Sequence, residues 1–242
     1  MILYNYPKLY PGKLVKRYKR FLADIELDTG ELITAHCPNT GPMTGVCQVG
    51  APVKVSYHDN PKRKLAYTWE MIEVDSTNPA HGDKVWVGIN TALPNKLIKI
   101  ALEQRLFPEL TDYQNVRSEV VYGLNNGSRV DFLLTGGDCP IYVEVKNTTW
   151  SIGNVAIFPD TETTRGQKHL RELTELIPKC RSVMLYLINR SDMPLFSPGD
   201  ITDPVYAQLL RAGVEKGLEV LPYRFEVTPE AVSYLGLADV VL

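Results

Sequence analysis

Three side chains within one short stretch have the types and the spacing to handle phosphate chemistry. From Ser128 the chain reads Ser128-Arg129-Val130-Asp131-Phe132, then leucines and a glycine turn at Gly136 and Gly137, then Ile141-Tyr142-Val143-Glu144-Val145-Lys146-Asn147. Two strand-like runs around a glycine turn predict an antiparallel hairpin. Residues two apart in a strand share a face, so Glu144 and Lys146 point the same way, and the hairpin can bring Asp131 beside them. Two carboxylates suit a hard divalent cation, and the ammonium can hold a water or a phosphate oxygen. That is the makeup of a metal-dependent phosphodiesterase centre. A solvated strand face with an exposed Glu-Lys pair has the same spacing, so the order of the surrounding elements has to decide.

The frame that must position these residues is bounded by composition. A chain of 242 residues can form one large domain or two modest ones. Its 44% hydrophobic and 22% charged content is that of a globular protein. No apolar run approaches the roughly 20 residues of a membrane span. Met1-Ile2-Leu3-Tyr4-Asn5-Tyr6 has no basic lead into an apolar core, so no signal peptide and a cytoplasmic location are expected. Cys37, Cys47, Cys139 and Cys180 show no C-x-x-C spacing, which predicts reduced thiols. A zinc site from His36, Cys37, Cys47 and His58 is the one metal alternative. The net charge of −2 excludes a simple polycation. Affinity for nucleic acid would have to come from patches, and Lys13, Lys16, Arg17, Lys19 and Arg20 form one.

The first third of the chain reads as strands. Residues 13 to 37 predict a long strand, a turn at Asp28-Thr29-Gly30 and a second strand. Lysine and arginine interleaved with Tyr18 and Phe21 suit a sheet that meets phosphates and stacks on bases, and equally a half-buried strand with a solvated basic face. His36-Cys37-Pro38-Asn39-Thr40-Gly41-Pro42-Met43-Thr44-Gly45 is a shaped loop. In it Asn39 and Thr40 can bond a ligand or their own turn. Further strands follow at about 52–58 and 64–74, and another ends near Val87. Five short strands predict a small oligonucleotide/oligosaccharide-binding (OB) type barrel over residues 1–87.

From residue 88 the periodicity changes. Thr91 to Gln104 has a helical stripe, with Asn90 or Thr91 as cap and Pro94 in the first turn. Val116 to Gly123, an Asn125-Asn126-Gly127 turn and the two strands above form a meander. A helix at Thr163–Leu176, a strand at Val183–Ile188, a helix at Val205–Lys216 and a strand at Leu218–Val227 follow. This order predicts a sheet with helices on its faces over residues 88–242, so the whole is an α+β protein of two domains. Arg165, Lys168 and His169 fall near one face of the first helical turns after the Glu144 strand. Cations there oppose the helix dipole, an arrangement that makes sense where an anion docks.

In combination, several stretches resemble the sugar fermentation stimulation protein A family. They are His36-Cys37-Pro38-Asn39-Thr40-Gly41-Pro42-Met43, Asn90-Thr91 with Pro94-Asn95, Ser128 to Phe132, Glu144 to Asn147, Phe158-Pro159-Asp160 with Arg165 to Leu170, and Asp203-Pro204 with Tyr206. The resemblance covers essentially the whole chain. It implies an N-terminal OB-type barrel and a C-terminal domain of the PD-(D/E)XK nuclease type, in a DNA-binding family regarded as regulating maltose metabolism. It also implies a divalent metal, Mg2+ or Mn2+, at Asp131, Glu144 and the Val145 carbonyl, with Lys146 as the third catalytic side chain. Val130 stands where the superfamily's name has proline. Glu103 and Glu119 are both candidates for the further glutamate that some members use.

Three functions follow as expectations. The first is a magnesium-dependent nuclease. Here Arg129, Arg165, Lys168 and His169 would grip the backbone, and the barrel, through Lys13, Lys16, Arg17, Lys19, Arg20, Asn39 and Thr40, would bind the strand. The partner would be nucleic acid, DNA in the first place, with no membrane involved. The second is a binding or regulatory module with a silent site, showing salt-sensitive affinity and little sequence preference, since no helix-turn-helix is present. The third, a carbohydrate-binding barrel with a carboxylate pair, fits less well because a neighbouring lysine opposes the raised-pKa acid a glycosidase needs.

Overall fold

The computed structural model describes residues 1–122, 127–177 and 179–242. Asn125 and Asn126 of the expected Asn-Asn-Gly turn lie outside the described residues. Strand β1 (Ile2–Asn5) is followed by β2 (Leu9–Tyr18), β3 (Leu22–Leu27), β4 (Leu32–His36), β5 (Pro52–Tyr57), β6 (Tyr67–Asp75) and β7 (Lys84–Gly88). Strands β2 to β7 form one sheet in the order β4-β3-β2-β5-β6-β7. A parallel pairing of Ala35 with Tyr67 and His36 with Thr68 joins β4 to β6 and bends this sheet into a partly closed ring. Alternate residues, among them Leu14, Ile25, Val55 and Trp69, fill its interior.

The single long strand expected from residue 13 is two strands, β2 and β3. The chain reverses between them with Lys19 at φ 49° and Arg20 at φ 64°. This left-handed conformation favours glycine and asparagine, so a Lys-Arg pair gives no turn signal. Strand β1 lies across the expected boundary at residue 87: it pairs not with the barrel but with a strand near the C-terminus.

Beyond Gly88 come α1 (Leu93–Glu103), β8 (Asn115–Tyr122), β9 (Ser128–Thr135) and β10 (Ile141–Thr148). They are followed by β11 (Ser151–Ile152), β12 (Val155–Phe158), α2 (Thr164–Leu176), β13 (Arg181–Ile188) and β14 (Leu195–Pro198). The chain finishes with α3 (Pro204–Glu215), β15 (Glu219–Val227), β16 (Ala231–Leu237) and β17 (Asp239–Val240). The main sheet runs β1-β16-β15-β13-β10-β9-β8. Its meander β8-β9-β10 is antiparallel, whereas β10, β13 and β15 are parallel, with α2 and α3 in the crossovers that parallel pairing requires. Helix α1 covers one face through Leu97 and Ile98 against Phe132 and Leu185. Helices α2 and α3 cover the other through Leu170, Leu173 and Leu210 against Met184 and Tyr186. A small second sheet, β11-β12-β14-β17, was not visible in the sequence, because strands this short show no period.

The halves meet where the barrel hands the chain to α1. The Gly88 N–H donates to the Asn189 carbonyl at 3.0 Å. A Cβ at residue 88 would lie 2.5 Å from the Asn189 side-chain oxygen, so a larger residue there would push aside the amide that bonds Asn147. Ser76 donates to Asp192 at 2.7 Å, and Asp192 is itself paired with the buried Arg190 at 2.6 Å. Among the described residues no helix is long and apolar enough to cross a membrane.

Candidate metal and nucleic-acid site

The hairpin β9–β10 pairs Ile141 with Leu134, Tyr142 with Leu133 and Val143 with Phe132. One step further this register sets Glu144 opposite Asp131. The ladder ends there, because the Asp131 side chain replaces a backbone partner: its Oδ2 accepts the Val145 N–H at 2.8 Å. The N–H and C=O of one strand residue leave on the same edge, so the Val145 carbonyl faces the same gap. Asp131 Oδ1 accepts from Asn95 Nδ2 at 2.7 Å, which fixes the carboxylate from the first turn of α1.

Glu144 is buried. Its Oε1 accepts from Lys146 Nζ at 2.7 Å, confirming the shared face, and also from His169 Nδ1 on α2. A carboxylate can only accept, so the bond to Glu144 requires a proton on His169 Nδ1, which Lys146 Nζ also approaches to 3.4 Å. The other oxygen, Oε2, is buried without any hydrogen-bond partner.

The two carboxylates are driven apart electrostatically. Burial, and then the charge of Glu144, push the Asp131 carboxyl above its ordinary value, against the Val145 N–H, Asn95 and Lys146. Burial also works to raise Glu144, but the His169 hydrogen bond and the charges of Lys146 and His169 outweigh it and hold the group below its ordinary value. Neighbouring acids with opposed environments are a common mark of functional sites.

Helix α2 is held in place by its first turn. Thr163 caps it by accepting from the Gly166 N–H at 3.1 Å. Asp203, the cap of α3, accepts from the Thr163 N–H at 2.9 Å and from Gln167 at 3.0 Å. These bonds tie the starts of both helices together and set His169 against Glu144.

The expected backbone-gripping residues of this half come together. Arg129, Arg165, Lys168 and His169 line one open depression of about 480 Å³, with Glu119 on its rim. Arg165 and Lys168 are exposed. His169 needs correction: it is buried against Glu144 and is a support for the carboxylate rather than a surface contact for phosphate. Glu103 is elsewhere, paired with Lys99 at 3.9 Å, and Glu119 lies on β8, not on α1.

The barrel residues form a separate group. Lys13, Lys19 and Arg20 are exposed, and Lys16 is paired with Asp24 at 3.3 Å. Arg17 is committed to the fold: its guanidinium donates to the carbonyls of Asn39 at 2.9 Å and Gly41 at 2.8 Å. Asn39 Oδ1 accepts the Gly41 N–H at 2.9 Å, so this side chain shapes its own loop, while Thr40 is exposed. Cys37 is buried, with its thiol toward Met43 and the Asn39 carbonyl. Among the described residues no three His, Cys, Asp or Glu side chains converge as metal ligands, which removes the zinc alternative.

Asn95 and His169 are the supports that spacing missed. Asn95 is distant in sequence from Asp131, and a histidine on an amphipathic helix carries no mark of its partner.

Comparisons with known proteins match both halves of the chain. Residues 15–89 match the family described as SfsA N-terminal OB domain, and residues 92–231 match the Sugar fermentation stimulation protein RE domain. A sugar fermentation stimulation protein homolog of Trichormus variabilis is 62% identical over 242 residues, covering 99% of this chain and 98% of that protein. One from Rippkaea orientalis is 64% identical over 241 residues, covering 98% and 96%. The structure of Pyrococcus furiosus SfsA in complex with Ca2+ superposes with a TM-score of 0.86 at 25% identity, covering 100% of both chains.

Proposed function

This chain belongs to the sugar fermentation stimulation protein family, and from that premise and the geometry above we propose that it binds nucleic acid and cleaves phosphodiester bonds with a divalent metal, Mg2+ or Mn2+. The observation that carries this reading is the buried, unpartnered Glu144 Oε2. A buried acceptor left unsatisfied is costly, and an ion would satisfy it. The donor set fits a hard cation: the carboxylates of Asp131 and Glu144 and the Val145 carbonyl, all oxygen. Ca2+ in the similar archaeal structure supports the same class of ion.

A bound ion would polarise the phosphate and lower the pKa of a water. The chain's own residues supply the rest. Lys146, anchored on Glu144, keeps further N–H donors for the attacking water or for developing phosphate charge. His169 and Asn95 fix the two carboxylates. Arg129, Arg165 and Lys168 meet backbone phosphates in the depression beside them. The exposed lysines of β2 and its turn extend that contact along the barrel.

The test is cleavage of DNA and of RNA with Mg2+ or Mn2+, comparing the wild type with Asp131→Ala. The variant is expected to lose cleavage and to keep nucleic-acid affinity in EDTA. Undiminished cleavage would remove the assignment. A second reading, a binding module with a silent site, is favoured by one observation: only two carboxylates converge among the described residues. It predicts binding without cleavage in both proteins.

A further inference from the structure

Directly beyond Lys146 a smaller pocket of about 170 Å³ opens between the barrel loop and the sheet. Its walls include Asn39, Asn147, Thr148, Trp150, Phe158 and Asp160. We propose that this pocket takes one unpaired nucleobase of the bound strand, so that the substrate is single-stranded or frayed beside the centre. The inference rests on the reading that the chain binds nucleic acid.

Four observations support it. Asn147 and Thr148 follow Lys146 on the same strand, so the pocket adjoins the proposed centre. Trp150 lines it, and every base has a face to stack on such a ring, while Phe158, the other aromatic of the wall, packs against Tyr186 and Tyr206. The size, about 170 Å³, suits one planar ring system rather than a base pair. The hydrogen-bonding groups are fixed yet incompletely used. Asn39 takes the Gly41 N–H on its side-chain oxygen at 2.9 Å, so its NH2 group is left over as a donor. Asn147 commits its oxygen to Asn189 at 3.1 Å, which leaves its NH2 group as a donor.

The walls are also held rigid. Arg17 fixes the carbonyls of Asn39 and Gly41, and Thr91 on the far side donates to the Pro38 carbonyl at 2.9 Å. Asp160 is fixed by the backbone N–H groups of Thr44 and Met43, while burial raises its carboxyl above the ordinary value. This gives the loop from His36 to Gly45 and the Phe158-Pro159-Asp160 segment a shared purpose that the metal centre does not explain. An aromatic residue with amides and hydroxyls also suits a sugar ring, but the pocket's place next to the proposed phosphodiester centre favours the base.

The experiment measures binding in EDTA, so that nothing is cut. The probes are a fluorescein-labelled mixed-sequence DNA single strand and a blunt duplex of the same length, at matched salt. Trp150→Phe keeps a ring to stack on, whereas Trp150→Ala removes it. Trp150→Phe is expected to keep single-strand binding within about threefold of the wild type and to leave duplex binding unchanged. Trp150→Ala is expected to cost single-strand binding about ten- to a hundredfold. The proposal is overturned if Trp150→Ala binds the single strand as the wild type does, or weakens both probes equally. It is overturned too if glucose binds at Trp150 and the single strand does not displace it. Failure of the wild type to bind either probe would overturn the underlying reading, whereas duplex binding with no single-strand effect overturns this inference alone.

Discussion

Two charged regions of this molecule look alike in sequence and are built on opposite principles. In the sheet, Glu144, Lys146 and His169 are buried or nearly so, and each has a defined partner. On the barrel, Lys13, Lys19 and Arg20 stand in solvent. Buried charges are weakly screened and leave costly orphans when a partner is removed, so there geometry decides. Exposed charges are screened within about 8–10 Å, so there the number of charges decides more than the identity of any one. Arg17 shows that a sequence cluster can contain both kinds: its neighbours face water while it braces the carbonyls of the 39–41 loop.

The sharpest way to break this contrast is Glu144→Gln. It leaves Lys146 and His169 against a neutral amide, and is expected to cost about 3 kcal/mol of stability, measured by denaturant unfolding, together with the divalent site. A variant of wild-type stability would mean that the buried cluster is no more coupled than the barrel surface. Asn95→Ala comes next. It removes only a support of Asp131 and is expected to weaken divalent-ion affinity about 10- to 100-fold, as read by calorimetry, with little change in fold stability.

The barrel side is expected to respond least. Lys19→Gln should lower affinity for duplex DNA a few-fold and flatten the salt dependence by about one unit of slope, measured by fluorescence anisotropy across a salt series. An effect as large as that of the buried residues would show that the barrel makes a specific contact.

The same contrast explains what was legible in the sequence. Asp131, Glu144 and Lys146 were readable because strand geometry fixes which residues share a face, and the hairpin between them is local. Helices α2 and α3 were readable from their apolar periodicity, whereas their caps, Thr163 and Asp203, emerge only in the structure. The reversal at Lys19 and Arg20 was not, since the usual turn residues are absent and the left-handed backbone is imposed by barrel closure. The place of β1 beside β16 was equally hidden, because pairing across almost the full chain length leaves no local trace. His169 was assigned to phosphate from its neighbours Arg165 and Lys168. Helical spacing does not reveal that one member of the group turns inward to a carboxylate.

The central claim is that Asp131 and Glu144 together hold one divalent ion, and titration of Mn2+ or Ca2+ followed by calorimetry tests it most directly. Asp131 must be ionised to bind, and its carboxyl is raised, so affinity should increase as pH rises through a midpoint above the ordinary aspartate value of 3.8. Glu144, held low, stays ionised until the pH falls further. The account predicts one site in the wild type, weakened at acid pH in this way, and none in Asp131→Asn. An ion bound equally well by Asp131→Asn, at every pH, would contradict it.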